Sequence, residues 1–239
     1  MAGQDQKKLS VVLPTYNEEK NIEIFIPQIE EEFQNELLEI IVVDDNSNDG
    51  TKKLLAELND KFGNIKLISR PKLMGIGSAI RDGYNAAIGE YILSSDADLS
   101  FQVGDMRRLY EKLNEGYDLV LAYRHGNKGG YERKKLFVKI KYMFSRFGNF
   151  AVRNISGLGV RDVSANFRII RRAGWHKIQT VENTNSLLFE MIVKAKRKGL
   201  KIAEIPITFS ERRFGKSKLN ILKEAPKFLV KFIKYTFFD

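Results

Sequence analysis

The sequence predicts an α/β fold, with a mostly parallel sheet covered by helices on both faces. Short apolar runs alternate with helical segments along residues 9–123, and parallel sheets are built from that alternation. Polar clusters follow the first, second and fourth apolar runs, where open α/β sheets bind their ligands. Of 239 residues, 43% are hydrophobic and 29% charged, a composition typical of a globular protein.

In the first half of the chain, each predicted strand is a short apolar run that ends in turn-forming residues. These strands cover residues 9–13, 39–43, 65–69, 91–95 and 119–123. Apolar residues at helical spacing predict helices over residues 18–33, 51–62, 76–88 and 103–114. Pro27 lies inside the first helix, and we expect it to kink or split that helix because proline removes a backbone donor.

The pattern changes after Arg124. A glycine-rich loop at 126–130 precedes a basic amphipathic helix predicted over 136–153. Further along, we expect a helix at 187–198, a strand at 201–209 and a charged loop at 211–218. The last helical stretch, 219–238, contains Pro226, which is expected to kink or divide it.

Charge and composition restrict the classes of partner. Forty Lys and Arg against 30 Asp and Glu give a net charge of +10, which favours an anionic partner. A nucleic-acid-binding module has only this charge in its favour, since no RNP, helix-turn-helix or finger motif is present. Without cysteine, a disulfide framework, thiolate catalysis and Cys-ligated metal are excluded. The longest run without charged residues or histidine, 9–17, is too short to span a membrane.

The sharpest chemical feature is the pair of carboxylates Asp96 and Asp98 at the end of the fourth predicted strand. Two carboxylates at that spacing can both reach one hard cation, and Mg²⁺ or Mn²⁺ is held this way with substrate phosphates. Such a pair by itself is more often a turn or a helix cap. Because Asp44 and Asp45 end the second strand at the same sheet edge, we interpret the cluster as a nucleotide pocket.

Five segments, in order, resemble family 2 glycosyltransferases of GT-A fold, and most of all the dolichyl-phosphate mannose synthases and related polyprenyl-phosphate glycosyltransferases. They are VVLPTYNEE (11–19), IVVDDNSNDGT (41–51), KLMGIGSAIRDG (72–83), EYILSSDADLS (90–100) and ITFSERRFGKSKL (207–219). The resemblance implies a GT-A catalytic domain over residues 1–210. It assigns an acceptor or phosphate loop and an interfacial amphipathic helix to residues 211–239.

The resemblance also implies roles for single residues. The base and ribose would be surrounded by Pro14, Tyr16, Glu18, Val43 and Asp45. The sugar-nucleotide diphosphate and a divalent cation would be bound by Asp96, Ala97 and Asp98, with Ser100 beside the metal. Donor phosphates would be contacted by Arg124, Arg212 and Lys218. The acceptor phosphate would lie at Lys141 and Ser145. The catalytic set is Asp96, Asp98, Arg124 and Arg212.

The chain departs from the family pattern at three places. Lys141 stands where arginine is common, which replaces a bidentate fork with a point charge. Phe101-Gln102-Val103 replaces a stretch that usually contains His and Pro. Residues 164–168 read SANFR where SGFR is common.

The resemblance implies an inverting transferase that moves a hexose onto dolichyl or another polyprenyl phosphate, with mannose from GDP-mannose as the expected donor sugar. That reaction brings two anions together and needs several fixed cations besides the metal. The phosphate acceptor is already ionised, so no general base is required, and we interpret Glu190 as a structural residue. The alternatives are a UDP-sugar donor, as in a polyprenyl-phosphate glucosyltransferase, and a hydroxyl acceptor, which does need a base. A catalytically inactive nucleotide-binding protein is disfavoured because both Asp96 and Asp98 are present.

The C-terminal helix predicts where the protein works. On a helical wheel, one arc of about 80° holds Lys223, Lys227, Lys231 and Lys234. The opposite side holds Leu222, Leu229, Phe232, Ile233 and Thr236. This pattern favours a helix lying on an anionic membrane, although an ordinary surface helix or one that binds a small membrane protein shares it. We therefore expect a peripheral protein at the cytoplasmic face of a membrane, with no transmembrane helix and no nucleic-acid partner.

Overall fold

The computed structural model describes residues 7–124, 130–131, 157–215 and 221–238. The helix predicted over 136–153, most of the glycine-rich loop, Lys141, Ser145 and Lys218 lie outside these described residues. Within the described ranges, we find no helix whose length and apolar content would let it span a bilayer.

The strands, in chain order, are β1 (Leu9–Thr15), β2 (Leu37–Asp44), β3 (Ile65–Ser69), β4 (Tyr91–Ser94), β5 (Leu119–Tyr123), β6 (Gly130–Tyr131), β7 (Arg168–Arg171), β8 (Ile202–Pro206) and β9 (Thr208–Phe209). Seven of them form one sheet in the order β3-β2-β1-β4-β7-β5-β8. All neighbours in this sheet are parallel except β7, which is antiparallel to both β4 and β5. The remaining two strands, β6 and β9, pair in parallel as a small second sheet.

The helices are α1 (Glu19–Glu32), α2 (Thr51–Phe62), α3 (Ile76–Ala86), α4 (Val103–Asn114), the single turn α5 (Arg172–Trp175), α6 (Ser186–Arg197) and α7 (Ile221–Phe237). They cover the sheet on both faces, because successive strand residues point to opposite sides. On β1, Val11 and Leu13 belong to the core shared with α1 and α4, whereas Val12 belongs to the core shared with α3 and α6.

The predicted fold class and the five N-terminal strands are confirmed, and three details differ. Strand β7 was not predicted, since its four residues carry arginine at both ends. The strand predicted over 201–209 is two strands in different sheets, because β8 ends at Pro206, opposite the last residue of its partner β5, and β9 pairs with β6 instead. Neither Pro27 nor Pro226 divides its helix: α1 and α7 each run through their proline.

Close packing of α3 on the sheet depends on Gly83. A methyl group placed there would lie 2.3 Å from Cγ1 of Val12 and 3.2 Å from Cγ2 of Val43. Both valines are fully buried in central strands, so neither has room to move.

Gly83→Ala should therefore destabilise the protein by about 1–2 kcal/mol, because overpacking outweighs the gain in helix propensity. The matched control is Gly104→Ala in α4, where nothing lies within 4 Å of the new methyl group. This control should stabilise the protein by about 0.5–1 kcal/mol. Denaturant unfolding measures both, and equal stabilities of the two variants would contradict the packing account.

Candidate active site

The carboxyl ends of β1, β2 and β4 meet at one edge of the sheet, and the turns that follow β1 and β2 bind each other. The backbone N–H of Asn17 donates to Ser47 Oγ at 2.8 Å, and that of Asn48 donates to Asn17 Oδ1 at 2.9 Å. Asn17 and Asn46 have φ of 54° and 62°, left-handed values that asparagine tolerates better than most residues. The predicted nucleotide side of the site is thus a rigid pair of turns.

Asp44 and Asp45 have different partners. Asp44 is fully buried, and its Oδ2 accepts the N–H of Ser47 at 3.0 Å, which closes the turn after β2. Asp45 forms a buried ion pair with Arg70, the residue that follows β3. Burial raises the pKa of Asp45, and Arg70 acts in the opposite direction. Arg70 also donates to Ser78 Oγ at 2.6 Å, so it fixes the start of α3 beside this carboxylate.

Sequence reasoning missed Arg70. A signal was available in the sequence, because Arg70 directly follows a predicted strand at the same edge of the sheet. Asp45 was identified by its corresponding position at the end of the second strand.

The other residues predicted around the base lie at the same edge. Pro14 and Val43 are opposite each other in the β1–β2 register, and the side chain of Val43 is fully buried under α3. Tyr16 and Glu18 are half-buried in the turn that precedes α1. Glu18 accepts a hydrogen bond from Asn21 Nδ2 at 2.5 Å.

The turn that carries the two carboxylates is held by its own backbone. Asp98 is 7% exposed, and its Oδ1 accepts the N–H of Ser100 at 3.1 Å. Between them, Leu99 has a φ of 60°, a left-handed value that costs a residue other than glycine about 1 kcal/mol. The side chain of Ala97 packs in the core, so it is the backbone of this residue that lies at the site.

The segment after β9 lies against this acidic turn. The backbone N–H of Ser210 donates to the carbonyl of Ser100 at 3.0 Å, and that of Arg213 donates to the carbonyl of Asp98 at 3.2 Å. Between these anchors, Arg212 places Nη2 2.9 Å from Asp98 Oδ2 and Nη1 3.7 Å from Glu18 Oε1. One arginine therefore connects the first and fourth motifs, which lie 80 residues apart in the sequence.

Asp96 is the carboxylate with the most perturbed acidity. Asn166 donates from Nδ2 to Asp96 Oδ1 at 3.0 Å. Removal from water, and then the nearby charge of Asp98, raise the pKa of Asp96 to about 7. Arg124 and Arg212 oppose this shift without cancelling it. A cation that approaches both carboxylates would relieve their repulsion.

Arg124 follows β5 and is positioned by Asp162. Its Nε and Nη2 lie 2.7 and 3.1 Å from the two oxygens of this buried carboxylate, and Nη2 also donates to Ser164 Oγ at 2.6 Å. The guanidinium lies 5.3 Å from the ring centroid of Phe209. Sequence reasoning found Arg124 but missed the roles of Asp162 and Asn166. Asp162 lies two residues before the SANFR segment that was noted as a departure from the family pattern, and Asn166 is the asparagine within it.

The donor set fits a hard divalent cation. Asp96 and Asp98 supply two carboxylates on one turn, and Mg²⁺ is often bound by one or two carboxylates while substrate phosphates and water complete the shell. In the described part of the chain, no group of three or more His, Asp or Glu side chains is arranged to hold a metal without such a substrate. Glu190 is fully buried and accepts the backbone N–H groups of Val181 and Glu182, which confirms its structural role.

Comparison with known proteins identifies a family model and several relatives that match this chain. The model for Glycosyl transferase family 2 matches residues 10–178. A dolichol-phosphate mannosyltransferase of Pyrococcus furiosus is 32% identical over 216 residues, which are 89% of this chain and 59% of that protein. An undecaprenyl-phosphate 4-deoxy-4-formamido-L-arabinose transferase of Pectobacterium atrosepticum is 30% identical over 92% of this chain and 64% of that protein. The chain thus spans about three fifths of the length of these relatives.

Solved structures agree on the fold. Glucosyl-3-phosphoglycerate synthase from Mycobacterium tuberculosis, crystallised with Mn²⁺, UDP and glucosyl-3-phosphoglycerate, superposes with a TM-score of 0.72 at 21% identity. The superposition covers 98% of this chain and 82% of that one. At this identity, the likeness shows the shared fold.

The raised pKa of Asp96 predicts a pH-dependent stability in chelator. The folded-state pKa of about 7 lies above the ordinary 3.8, so the folded protein holds a proton that the unfolded chain releases. Stability should therefore fall as the pH rises from about 4 to 7 and stay low above it. Asp96→Asn removes the charge and should give a higher Tm than wild type at pH 8, with the difference vanishing near pH 4.

Asp60→Asn, an exposed aspartate on α2, is the matched control and should leave the Tm curve unchanged. A Tm of Asp96→Asn below that of wild type at pH 8 would show that this carboxylate is not strained by its neighbour.

Proposed function

The chain belongs to Glycosyl transferase family 2, and we propose that it transfers a hexose from a nucleotide sugar to a polyprenyl phosphate. The observation that carries this proposal is the acidic turn of Asp96 and Asp98, bridged by Arg212 to Glu18 at the nucleotide side. The names of the relatives support a polyprenyl phosphate as acceptor. We assign donor chemistry to residues 1–210, and phosphate and membrane contacts to residues 211–239.

The donor we propose is GDP-mannose, because the relative from Pyrococcus furiosus is named as a mannosyltransferase. A UDP-sugar is the alternative donor. A hydroxyl acceptor is disfavoured because it would need a general base. The obvious candidate, Glu190, instead binds backbone N–H groups in the core.

In the proposed complex, Pro14, Tyr16, Glu18, Val43 and Asp45 surround the nucleoside, with Val43 contributing its backbone. Asp96 and Asp98 would hold a divalent cation, with Ser100 beside it, and Ala97 would line the diphosphate through its backbone. A bound Mg²⁺ or Mn²⁺ would neutralise charge on the departing diphosphate. Lys218 contacts the donor phosphates, and Lys141 and Ser145 contact the acceptor phosphate.

The reaction we propose inverts the anomeric carbon. An ionised oxygen of the lipid phosphate attacks that carbon from the face opposite the diphosphate. The bond from the carbon to the diphosphate oxygen breaks, and the nucleoside diphosphate leaves with the electron pair. No proton has to be removed from the acceptor, so the residues need only bind, orient and neutralise. Arg124 and Arg212 provide fixed positive charge for both phosphorylated substrates.

The direct test supplies radiolabelled GDP-mannose or UDP-glucose together with polyprenyl phosphate and Mg²⁺ or Mn²⁺. We expect label in the organic extract with GDP-mannose, and loss of that label in chelator. Label from UDP-glucose alone would reassign the donor. Absence of lipid-linked label with either donor would overturn the proposed acceptor.

Asp98→Ala should lower turnover by at least about 100-fold, equivalent to roughly 2.7 kcal/mol of transition-state stabilisation. The reason is the loss of a cation ligand and of the partner that holds Arg212 over the site. Asp60→Ala on α2 is the control and should keep wild-type activity. Full activity of Asp98→Ala in chelator-treated buffer would refute the proposed metal role.

The outer face of α7 supports a peripheral location. The helix packs on Phe189 of α6 through Phe228, Phe232 and Tyr235. Phe232 therefore faces the core and not the predicted lipid side, and Lys231 pairs with Glu182 at 2.8 Å. Among the side chains of α7 that the structure describes, from residue 226 onward, the exposed apolar ones are Leu229, Val230, Ile233 and Phe237, followed by Phe238. Lys227 and Lys234 flank them.

We infer that this outer face docks on an anionic membrane, with the apolar side chains among the acyl chains and the lysines at the headgroups. The net charge of +10 is complementary to such a surface. The orientation would leave the sugar-nucleotide pocket in water at the cytoplasmic side.

Val230→Ser combined with Phe237→Ser should reduce flotation with phosphatidylserine-rich vesicles by about tenfold or more, since burying each side chain is worth about 1.5–3 kcal/mol. The KM for a long-chain lipid phosphate should rise, while activity on a short soluble acceptor survives. Ile88→Ser removes an equally exposed apolar side chain outside α7 and is the matched control. Wild-type protein that fails to float at low salt would show that α7 binds a protein partner instead.

A further inference from the structure

We propose that Asn166 is a positioning residue for Asp96, and that a buried hydrogen-bond chain from Tyr84 orients its amide. The inference rests on the proposed function, because it gives Asn166 the task of presenting a cation ligand. The sequence analysis placed the cation site in the turns that follow the strands. The inference adds to that site a residue of α3 and a residue of the segment before β7.

The chain consists of three consecutive hydrogen bonds. The hydroxyl of Tyr84 on α3 lies 2.8 Å from Oγ of Ser94, the last residue of β4. Ser94 Oγ lies 2.9 Å from Asn166 Oδ1, and Asn166 Nδ2 lies 3.0 Å from Asp96 Oδ1. Tyr84 and Ser94 are fully buried and Asn166 is 3% exposed, so water does not compete for these bonds.

The hydrogen count gives the chain one direction. Ser94 has one hydroxyl hydrogen, which it donates to Asn166 Oδ1. Tyr84 must therefore be the donor to Ser94, and burial raises the pKa of the Tyr84 hydroxyl, which keeps its hydrogen in place. With Oδ1 of Asn166 occupied in this way, the NH₂ group faces Asp96. The opposite amide orientation would place a carbonyl oxygen against a carboxylate, with no hydrogen between them.

Both ends of the chain are anchored in the core. The ring of Tyr84 packs edge-to-face on Trp175 at 4.8 Å between centroids. Beside Asn166, Phe167 stacks on Phe101 at 4.4 Å, and Arg168 donates to the carbonyl of Ala165 at 2.6 Å. Asp96 lies on a turn beyond the end of β4, so these bonds extend the rigidity of the sheet to a carboxylate that has left it.

The hydrogen-bond chain opposes the effect of the repulsion between Asp96 and Asp98. Asp98 repels Asp96 across a single intervening residue, and that repulsion favours rotation of Asp96 away from the geometry in which both reach one cation. The Asn166 amide holds Oδ1 of Asp96 from the side of the core. Outer partners of metal ligands typically contribute 10–100-fold to metal affinity.

The experiment measures Mn²⁺ binding by the EPR signal of free Mn²⁺, with the full chain and with GDP or UDP present. Asn166→Ala should raise the Mn²⁺ Kd by about 10–100-fold. Tyr84→Phe, which keeps the ring, should raise it by a smaller factor, and Ser94→Ala by an intermediate one. Tyr84→Phe should have no further effect in the Asn166→Ala background, since its influence passes through the amide.

Two control variants remove buried hydroxyls elsewhere. Ser10→Ala loses the bond to Glu39 Oε1 at 2.7 Å, and Tyr235→Phe loses the bond to Glu182 Oε1 at 3.0 Å. Both should lower the Tm as the site variants do, and both should keep the wild-type Mn²⁺ Kd.

The outcomes separate the two levels of the proposal. If the wild-type protein binds no Mn²⁺ with either nucleotide, the metal role in the proposed function fails and the positioning role fails with it. If wild type binds Mn²⁺ and Asn166→Ala binds it equally well, the positioning role alone is overturned. If Tyr84→Phe raises the Mn²⁺ Kd by the same factor in the wild-type and Asn166→Ala backgrounds, the hydrogen-bond chain from Tyr84 does not act through Asn166. That result would leave the positioning role of Asn166 standing.

Discussion

Asp96 and Asp98 place two negative charges on one turn that is largely removed from water, and the surrounding structure is arranged to tolerate them. Burial, and then the charge of Asp98, raise the pKa of Asp96 to about 7. An isolated pair of this kind would be destabilising, since a buried charge needs a partner. In this structure, Arg212 forms an ion pair with Asp98, and the Asn166 amide donates a hydrogen bond to Asp96. Binding of the proposed cation between the two carboxylates would relieve their repulsion.

This constraint explains why the site draws on distant parts of the chain. The segment of Ser210 to Arg213 is fastened to the acidic turn by backbone hydrogen bonds, and that fastening delivers Arg212 to both Asp98 and Glu18. Asp162 performs a similar task for Arg124 by fixing its guanidinium in a bidentate contact. In the proposed reaction, cations placed this firmly would require no reorganisation as negative charge develops on the departing diphosphate, and such preorganised charge stabilisation is usually the largest contribution to catalysis.

The C-terminal helix connects the catalytic core to its proposed surface. Its inner face is fixed to α6 by aromatic contacts and to Glu182 by Lys231 and the Tyr235 hydroxyl. The loop that carries Glu182 also contacts α3, since Arg81 in the middle of that helix donates to the Glu182 carbonyl at 2.8 Å. The donor side of the pocket and the proposed membrane face are thus joined by direct contacts, so docking of α7 would also orient the pocket.

The sequence by itself determined the fold class, the five N-terminal strands and the sheet edge at which Asp45, Asp96 and Asp98 meet. These features follow from local patterns, because apolar strands and the polar residues at their ends can both be recognised within short stretches of consecutive residues. Strand β7, the Asp162 partner of Arg124, the Asn166 amide and the inward face of Phe232 were decided by tertiary structure alone. Each depends on which side chain meets which across tens of residues, and no spacing in a single sequence encodes that meeting. The SANFR segment was noticed as a departure from a pattern, and only the folded chain brings its asparagine to Asp96.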